Sequence, residues 1–350
     1  MAALALFRLP HADHYVRIEQ TVGEPEELLS CAELNGRSGF VVAPFDVRQE
    51  QPIMLIRPDK LERMTKELKG PKSQVRQIEP TSPDADYAID FANFHAQLEQ
   101  GTFQKIVLAR CADEAMSVPI PPEALFHRAC QCYPRMFISL VYTTKTGYWL
   151  TATPEILLEG VGSAWRTIAL AGTMKLEGSQ LQGEGETVTW TTKNIQEQRY
   201  VATYITECLE QFTADFKEEG PRTVRAANLV HLRSDFTFTL PDSSRLGDLL
   251  QTLHPTPAVC GLPKHESFRF IVHNEHTPRL YYSGFMGPLR LDEGRSTHLY
   301  VSLRCMNVEG NQYHLYAGGG LLKDSVMQQE WQETEAKLET MRSLLIEEYV

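Results

Sequence analysis

The sequence predicts an α+β protein. Strand patterns recur along the chain, and two pairs of them form hairpins, one around the turn that ends at Gly147 and one around Glu309-Gly310-Asn311. Two long stretches carry apolar residues at the helical period, one through Val201 and Ile205 and one that ends near Met341. These patterns agree with that class, but periodicity alone does not choose the topology.

Length and composition limit the possible functions. The 350 residues suggest one large domain or two ordinary ones, and 42% hydrophobic residues suffice for a sizeable core. A formal net charge of -11 argues against nucleic acid or an anionic membrane as a partner. No apolar run is long enough to span a membrane, and the N-terminal residues make a poor signal peptide. Seven scattered cysteines without a C-x-x-C pair argue against a disulfide framework and a structural zinc site, and they fit a reducing cytoplasm.

The first hundred residues carry few signals. SGFVVAPFDV and QPIMLIRP look like strands, and RPDKLERMTKELKGPKSQ reads as a polar, helix-prone link. A helical pattern from Tyr87 to Leu98 closes at Gly101. The prolines between Pro80 and Pro83 mark either a domain boundary or a surface loop.

Lys105 begins the next strand pattern and shares one face of it with Val107 and Ala109. A lysine with such neighbours lies either at the edge of the strand or partly buried. Burial disfavours the charged ammonium form and would make Lys105 a candidate base. The alternative is an ordinary lysine at the start of a strand.

Glu155 follows Pro154 at a corner between two apolar runs. A carboxyl group in such surroundings is desolvated, which raises its pKa and lets it act as an acid. The alternative is a glutamate that caps a loop. The glycine-rich stretch from Gly172 to Gly185 has no phosphate-binding pattern, and Gly183-x-Gly185 is too weak to indicate a dinucleotide site.

The two long helices each direct glutamates toward their apolar side. In the first, the apolar stripe extends back one turn to Glu197. The tail opens with a glycine loop, Gly318 to Gly320, and continues as a helix whose inward stripe runs back from Met341 through Lys337, Glu333 and Glu330. Two carboxylates one turn apart suit a hard divalent cation. The alternative is a solvated face with a Glu333–Lys337 ion pair.

Two further stretches read as continuous strands. VRAANLVHLRSDFTFTL is one of them, and RSTHLYVSLRCMNVE is the other. In the second, Leu299, Val301, Leu303 and Cys305 form one face, and Arg304 lies on the opposite, polar face, which is suited to border a cleft.

The order of these motifs resembles that of the chorismate-utilising enzymes, in particular the isochorismate synthases. The resemblance runs from Thr102 to Leu345, about two-thirds of the chain, and HPTPAV followed by EWQETEAK is its most specific part. The matching segments are, in order, FQKIVLAR, TATPEILLEG, LAGTMK, KNIQEQRYV, LHPTPAVCGLP, YYSGFMGPL, VSLRC, YAGGG and EWQETEAKL.

The resemblance implies roles for the polar candidates. Lys105 matches the general base and Glu155 the general acid of isochorismate synthases. Glu197 and Glu333 match the carboxylates that hold the metal, and Glu330 lies nearby.

Further matches concern the substrate. Lys337 and Arg304 match basic residues that receive its carboxylates, and Gly172 and Gly318 match glycines whose backbone lies against it. Tyr282 is a further carboxylate contact.

The implied reaction is the Mg2+-dependent, reversible conversion of chorismate to isochorismate, an isomerase reaction of the hydroxymutase type. Mg2+ on Glu197 and Glu333 would bind the ring carboxylate, and Arg304 would bind the enolpyruvyl carboxylate. Neutral Lys105 would deprotonate a water molecule that attacks C2, and protonated Glu155 would give a proton to the departing C4 hydroxyl.

The resemblance also implies the architecture and the partners. The fold would be α+β, with two large, mainly antiparallel sheets packed face to face and helices outside. Residues 1–350 would form a single domain, with the signature motifs in 102–345. Chorismate is the expected substrate; no nucleic acid, membrane or obligatory glutaminase partner is expected, in a cytoplasmic protein of either menaquinone or siderophore synthesis.

Some positions depart from the family pattern, and other members remain as alternatives. Asn194 and Gln198 stand where the family usually has an acid and a histidine, which bears on the support of the metal ligands. Aminodeoxychorismate synthases carry a lysine where Ala171 stands, and anthranilate synthases typically lack the lysine that matches Lys105. A salicylate synthase, which adds a pyruvate elimination, and a catalytically silent chorismate-binding homologue remain alternatives.

Overall fold

Two antiparallel sheets of nine strands each form the centre of the protein. The computed structural model describes residues 3–65, 81–175, 188–226, 229–291 and 294–345. The first sheet has the strand order β14-β7-β18-β17-β9-β8-β1-β2-β6, and the second has β12-β13-β11-β10-β16-β15-β4-β5-β3. Strands from the first 65 residues extend both sheets.

The strands are β1 (Ala3–Arg8), β2 (Tyr15–Gln20), β3 (Glu26–Leu28), β4 (Gly39–Ala43), β5 (Ile53–Ile56), β6 (Lys60–Met64), β7 (Lys105–Ala115), β8 (Phe137–Thr143), β9 (Gly147–Thr153), β10 (Ile156–Val161), β11 (Ala164–Lys175), β12 (Phe216–Ala226), β13 (Leu229–Thr239), β14 (Gly261–Leu262), β15 (Phe285–Leu289), β16 (Thr297–Val301), β17 (Cys305–Glu309) and β18 (Gln312–Leu321). The α-helices are α1 (Ala85–Glu99), α2 (Pro122–Cys132), α3 (Thr192–Leu209), α4 (Leu246–Leu253), α5 (Lys264–Asn274) and α6 (Met327–Arg342).

The two sheets pack face to face around an aromatic core. The ring of Phe137 in the first sheet stacks on Tyr300 in the second, with ring centroids 4.3 Å apart, and Phe7 packs on Phe40 at 5.5 Å. Helices α2 and α6 cover the outer face of the first sheet, and α3 and α4 cover that of the second. The predicted α+β architecture is therefore confirmed. Among the described helices, none combines the length and the apolar character that a membrane crossing requires.

Two of the places where the chain crosses from one sheet to the other are neighbours. Pro154 and Glu155 link β9 to β10, and residues 302–304 link β16 to β17. The two crossovers are held together, because Val301 N–H donates to the Glu155 carbonyl at 3.0 Å and Ala152 N–H donates to the Arg304 carbonyl at 3.1 Å. The expectation of one continuous strand through Arg304 is wrong: the chain changes sheets there, and Arg304 has a φ of 44°.

Three other local predictions are corrected. The stretch from Val224 to Leu240 is not one strand but belongs to the hairpin of β12 and β13. The sequence does not reveal the break between the two strands, because the alternation of side chains continues across it. The polar link after Arg57 contains strand β6, and Gly318 to Gly320 lie within β18, paired with β7, rather than in a loop. The rest of that link, Pro80 and most of the glycine-rich stretch up to Gly185 lie outside the described residues.

Candidate active site

A cleft lies where the two crossovers approach β7, β18, α3 and α6. Residues from all of these elements line it, and part of it is open to solvent. Seven of the predicted site residues line it: Glu155, Gly172, Glu197, Tyr282, Arg304, Gly318 and Lys337. Lys105, Glu330 and Glu333 are not among the lining residues.

Lys105 is the first residue of β7, and its side chain is fully buried, which decides between the two interpretations of this residue. Its Nζ lies 2.8 Å from Oε1 of Glu197, and the other oxygen of Glu197 accepts the Gly172 N–H at 3.2 Å. Burial alone would raise the pKa of Glu197, but the nearby ammonium groups of Lys105, Lys193 and Lys337 lower it overall. Glu197 is therefore a carboxylate at neutral pH.

Glu155 has the opposite electrostatic character. Its side chain is buried at the crossover between β9 and β10. Burial raises its pKa to about 8, although the positive charges of Lys105, Arg304 and Lys337 act against the shift. At neutral pH this carboxyl group is mostly protonated and can donate a proton into the cleft.

Arg304 reaches the cleft from the second crossover. Burial lowers its pKa to about 10. Its Nη2 donates to Nε2 of His231 at 2.6 Å, whereas its Nη1 is buried without a hydrogen-bond partner among the described residues. Burial and the Arg304 charge hold the pKa of His231 well below its usual range. The imidazole is therefore neutral, and its Nδ1 lies 3.2 Å from the Gly172 carbonyl oxygen, to which it donates.

Each predicted metal ligand is paired with a lysine. Glu330 is buried and forms an ion pair with Lys193 on α3. Glu333 lies 2.7 Å from Lys337, whose Nζ also donates to the Gly318 carbonyl at 2.8 Å. Burial and the neighbouring Glu333 raise the pKa of Glu330, and its Oε2 lacks a hydrogen-bond partner in the described part of the chain.

The glutamates from the two helices converge on the glycine segment of β18. A Cβ added at Gly320 would overlap Oε1 of Glu197, and one at Gly319 would lie 3.3 Å from Oε2 of Glu330 and 4.0 Å from Oε1 of Glu333. Three carboxylate groups with one unpartnered buried oxygen have the chemistry that Mg2+ prefers. The three do not lie as close together as bound ligands, because one oxygen from each cannot be chosen so that all three lie within 4.8 Å of one another.

Sequence reasoning missed two residues of this site. His231 orients Arg304, and its only signal was its place within a strand pattern. Lys193 neutralises Glu330 across 137 residues of chain, a pairing that no local pattern indicates.

The two departures from the family pattern serve α3 itself. Asn194 accepts a hydrogen bond from Thr191 at 2.6 Å at the start of the helix. The Gln198 amide donates to the Ala169 carbonyl at 3.1 Å, which ties α3 to β11.

Comparisons with known proteins identify the family. Residues 46–346 match the model of a family described as chorismate binding enzymes. The isochorismate synthase MenF of Escherichia coli is 31% identical over 250 residues, which is 71% of this chain and 57% of that protein. The isochorismate synthase DhbC of Bacillus subtilis is 27% identical over 95% of this chain and 87% of its own length.

A solved structure shares the fold. The DhbC protein of Bacillus anthracis superposes with a TM-score of 0.81 over 98% of this chain and 96% of its own, at 22% identity.

The alignment with the Escherichia coli protein spans little more than half of that relative's length. The family model nevertheless covers most of this chain, and the chain therefore belongs to the family of chorismate binding enzymes.

Proposed function

We propose that this protein is an isochorismate synthase, an isomerase that interconverts chorismate and isochorismate. The observation that carries the proposal is that two carboxyl groups at one cleft are in opposite protonation states. Glu155 is protonated, and Glu197 is ionised next to the buried Lys105. The names of the relatives in Escherichia coli and Bacillus subtilis support the same reaction.

Substrate binding follows from the positive groups of the cleft. Chorismate carries two carboxylates, and the chain has an overall negative charge, so local cations have to attract it. Arg304 has an Nη1 without a partner in the described structure, and His231 holds the guanidinium in place. We assign Arg304 to the enolpyruvyl carboxylate, with Lys337 and Tyr282 as further contacts. The backbone of Gly172 and Gly318 lies against the substrate, since both glycines line the cleft.

The chemical step moves one proton at each of two residues. Lys105 takes a proton from a water molecule whose oxygen bonds to C2, the ring double bond shifts, and Glu155 gives its proton to the C4 hydroxyl as that group leaves as water. Only a neutral amine accepts a proton, so the ammonium of Lys105 that pairs with Glu197 has to release its proton to solvent before this step. One water molecule is consumed and one is released, so the substrate and the product are isomers.

Glu197 and Glu333, with Glu330 beside them, would hold Mg2+. When bound, this ion would supply Lewis-acid stabilisation and a template for the ring carboxylate. The convergence of the three carboxylates on Gly319 and Gly320 supports this assignment.

The test is to incubate the purified protein with chorismate and Mg2+, with and without ammonium, and to separate the products by chromatography. Samples with EDTA and with Lys105→Ala run alongside. We expect isochorismate alone, and none in either control. Salicylate with pyruvate would assign the protein to the salicylate synthases, anthranilate formed only with ammonium would contradict the role of Lys105, and unchanged chorismate would leave a silent binding homologue.

A further inference from the structure

A cluster of three potential metal ligands lies on the first sheet, away from the cleft. Cys111 and Asp113 are two residues apart on β7, so their side chains point to the same face of the sheet. His314 on β18 is the direct cross-strand partner of Asp113. Among the described residues, this is the one set of three such side chains whose donor atoms all lie within 4.8 Å of one another.

The separations of the donor atoms fit a tetrahedral ion. Two ligands of tetrahedral zinc, one sulfur and one oxygen, are about 3.6 Å apart by their usual bond lengths. Cys111 Sγ and Asp113 Oδ1 are 3.6 Å apart. His314 Nδ1 lies 2.6 Å from the same oxygen, joined to it by a hydrogen bond. A nitrogen and an oxygen on one zinc ion are about 3.4 Å apart, so replacing that proton by the ion requires a shift of less than 1 Å.

The ligand types select the class of cation. A thiolate, a carboxylate and a neutral imidazole carry two negative charges and include a soft donor, which favours zinc-like transition metals over Mg2+ or Ca2+. Burial and the Asp113 carboxylate raise the pKa of Cys111 to about 12, so the thiol keeps its proton until a metal displaces it. Asp113 is 72% exposed and His314 31% exposed, which leaves an approach from solvent and a place for a water as fourth ligand.

The cluster is separate from the candidate active site. Cys111 lies six residues along β7 from Lys105, which is roughly 20 Å in an extended strand. None of the three residues lines the cleft. We propose that Cys111, Asp113 and His314 form a surface site for a divalent transition-metal cation of the zinc class, independent of the chorismate reaction.

Cobalt titration tests this proposal on the whole protein. Co2+ is added to the reduced protein in the presence of excess Mg2+, which occupies sites made only of oxygen ligands, and thiolate-to-cobalt charge-transfer absorption is recorded. We expect the band to saturate at one equivalent of Co2+ and to disappear when Zn2+ is added.

Variants assign the band to the cluster. Cys111→Ser and His314→Ala should abolish the band, and Asp113→Asn should weaken Co2+ binding by about tenfold or more. The control is Cys132→Ser, which removes the other half-buried cysteine and should leave the titration unchanged. Circular dichroism establishes that each variant is folded. The proposal is overturned if the wild-type protein shows no band at one equivalent, or if a folded His314→Ala protein retains it.

Discussion

Two glutamates that line the same cleft, Glu155 at the sheet crossover and Glu197 on α3, are in opposite protonation states. Both are largely withdrawn from water, which alone would raise the pKa of each. Glu197 lies 2.8 Å from the Lys105 ammonium and receives the Gly172 N–H, so its pKa falls. The cations that act on Glu155 do not offset its desolvation, and its pKa rises to about 8.

The difference shows that contact with a cation, rather than depth of burial, separates an acid from a carboxylate in this protein. A hydrogen bond to its backbone carbonyl holds Glu155 at the crossover, whereas α3 places Glu197 next to Lys105. Sites for acid–base chemistry typically push the pKa values of neighbouring groups apart in this way. The following variants test the comparison.

The largest effect is expected from Glu155→Gln. The amide fills the same space but has no proton to give to the leaving hydroxyl, so kcat for isochorismate formation should fall by about 10²- to 10⁴-fold. Steady-state kinetics with chorismate measures this change. Glu309→Gln, at the exposed turn between β17 and β18, is the matched control. A loss smaller than tenfold in Glu155→Gln would contradict the assignment of the acid.

Lys105→Met should destabilise the protein as well as inactivate it. The substitution leaves the Glu197 charge without its main partner, which for a buried pair costs about 3–5 kcal/mol in the free energy of unfolding. Urea denaturation in EDTA measures the change.

Adding Glu197→Gln to Lys105→Met should recover much of this loss without restoring activity, because no charge is then left unpaired. If the two substitutions instead destabilise the protein additively, the ion pair does not determine the state of Glu197.

Gly320→Ala tests the distance between the strand and the ion pair. The new Cβ would overlap Oε1 of Glu197 and lie 2.9 Å from Cε of Lys105, so it must displace both groups. A displacement of about 1 Å in an active site can reduce activity by about 100-fold. Gly319→Ala, whose Cβ would come no nearer than 3.3 Å to Glu330, should lose less. Equal losses would show that the Glu197 contact has no special importance.

The smallest effect concerns pH. The folded-state pKa of Glu155 is about 8 and its unfolded value is about 4.5, so the folded protein binds the extra proton between these values. Its contribution to stability is complete below pH 4.5 and is lost as the pH rises toward 8, with a slope of about 1.4 kcal/mol per pH unit.

Glu155→Gln lacks this dependence. The stability of the wild-type protein relative to Glu155→Gln should therefore fall between pH 5.5 and 7.5, as measured by urea denaturation of both proteins. His231, which has a lowered pKa, acts in the opposite direction in both proteins and cancels in the difference. Parallel curves would contradict a raised pKa for Glu155.

The sequence predicted the elements that carry the site better than their arrangement. Lys105 and Glu155 were identifiable because charged residues stood among apolar neighbours, and the structure buries both. Arg304 was placed on the polar face of a continuous strand, although the chain changes sheets at that residue with a φ of 44°. Alternation describes which way a side chain points, but not which sheet the next residue joins.

The sequence by itself determined the strand that begins at Lys105 and the helices that carry Glu197 and Glu333, because these depend on local periodicity, and its motif order predicted the α+β class. Only the tertiary structure decided which charges meet. It pairs Lys193 with Glu330 and His231 with Arg304, and it brings His314 beside Cys111 and Asp113 in a chain whose cysteine spacing indicates no metal site. Contacts between distant segments follow from sheet register and packing, and a pattern along the chain does not contain that information.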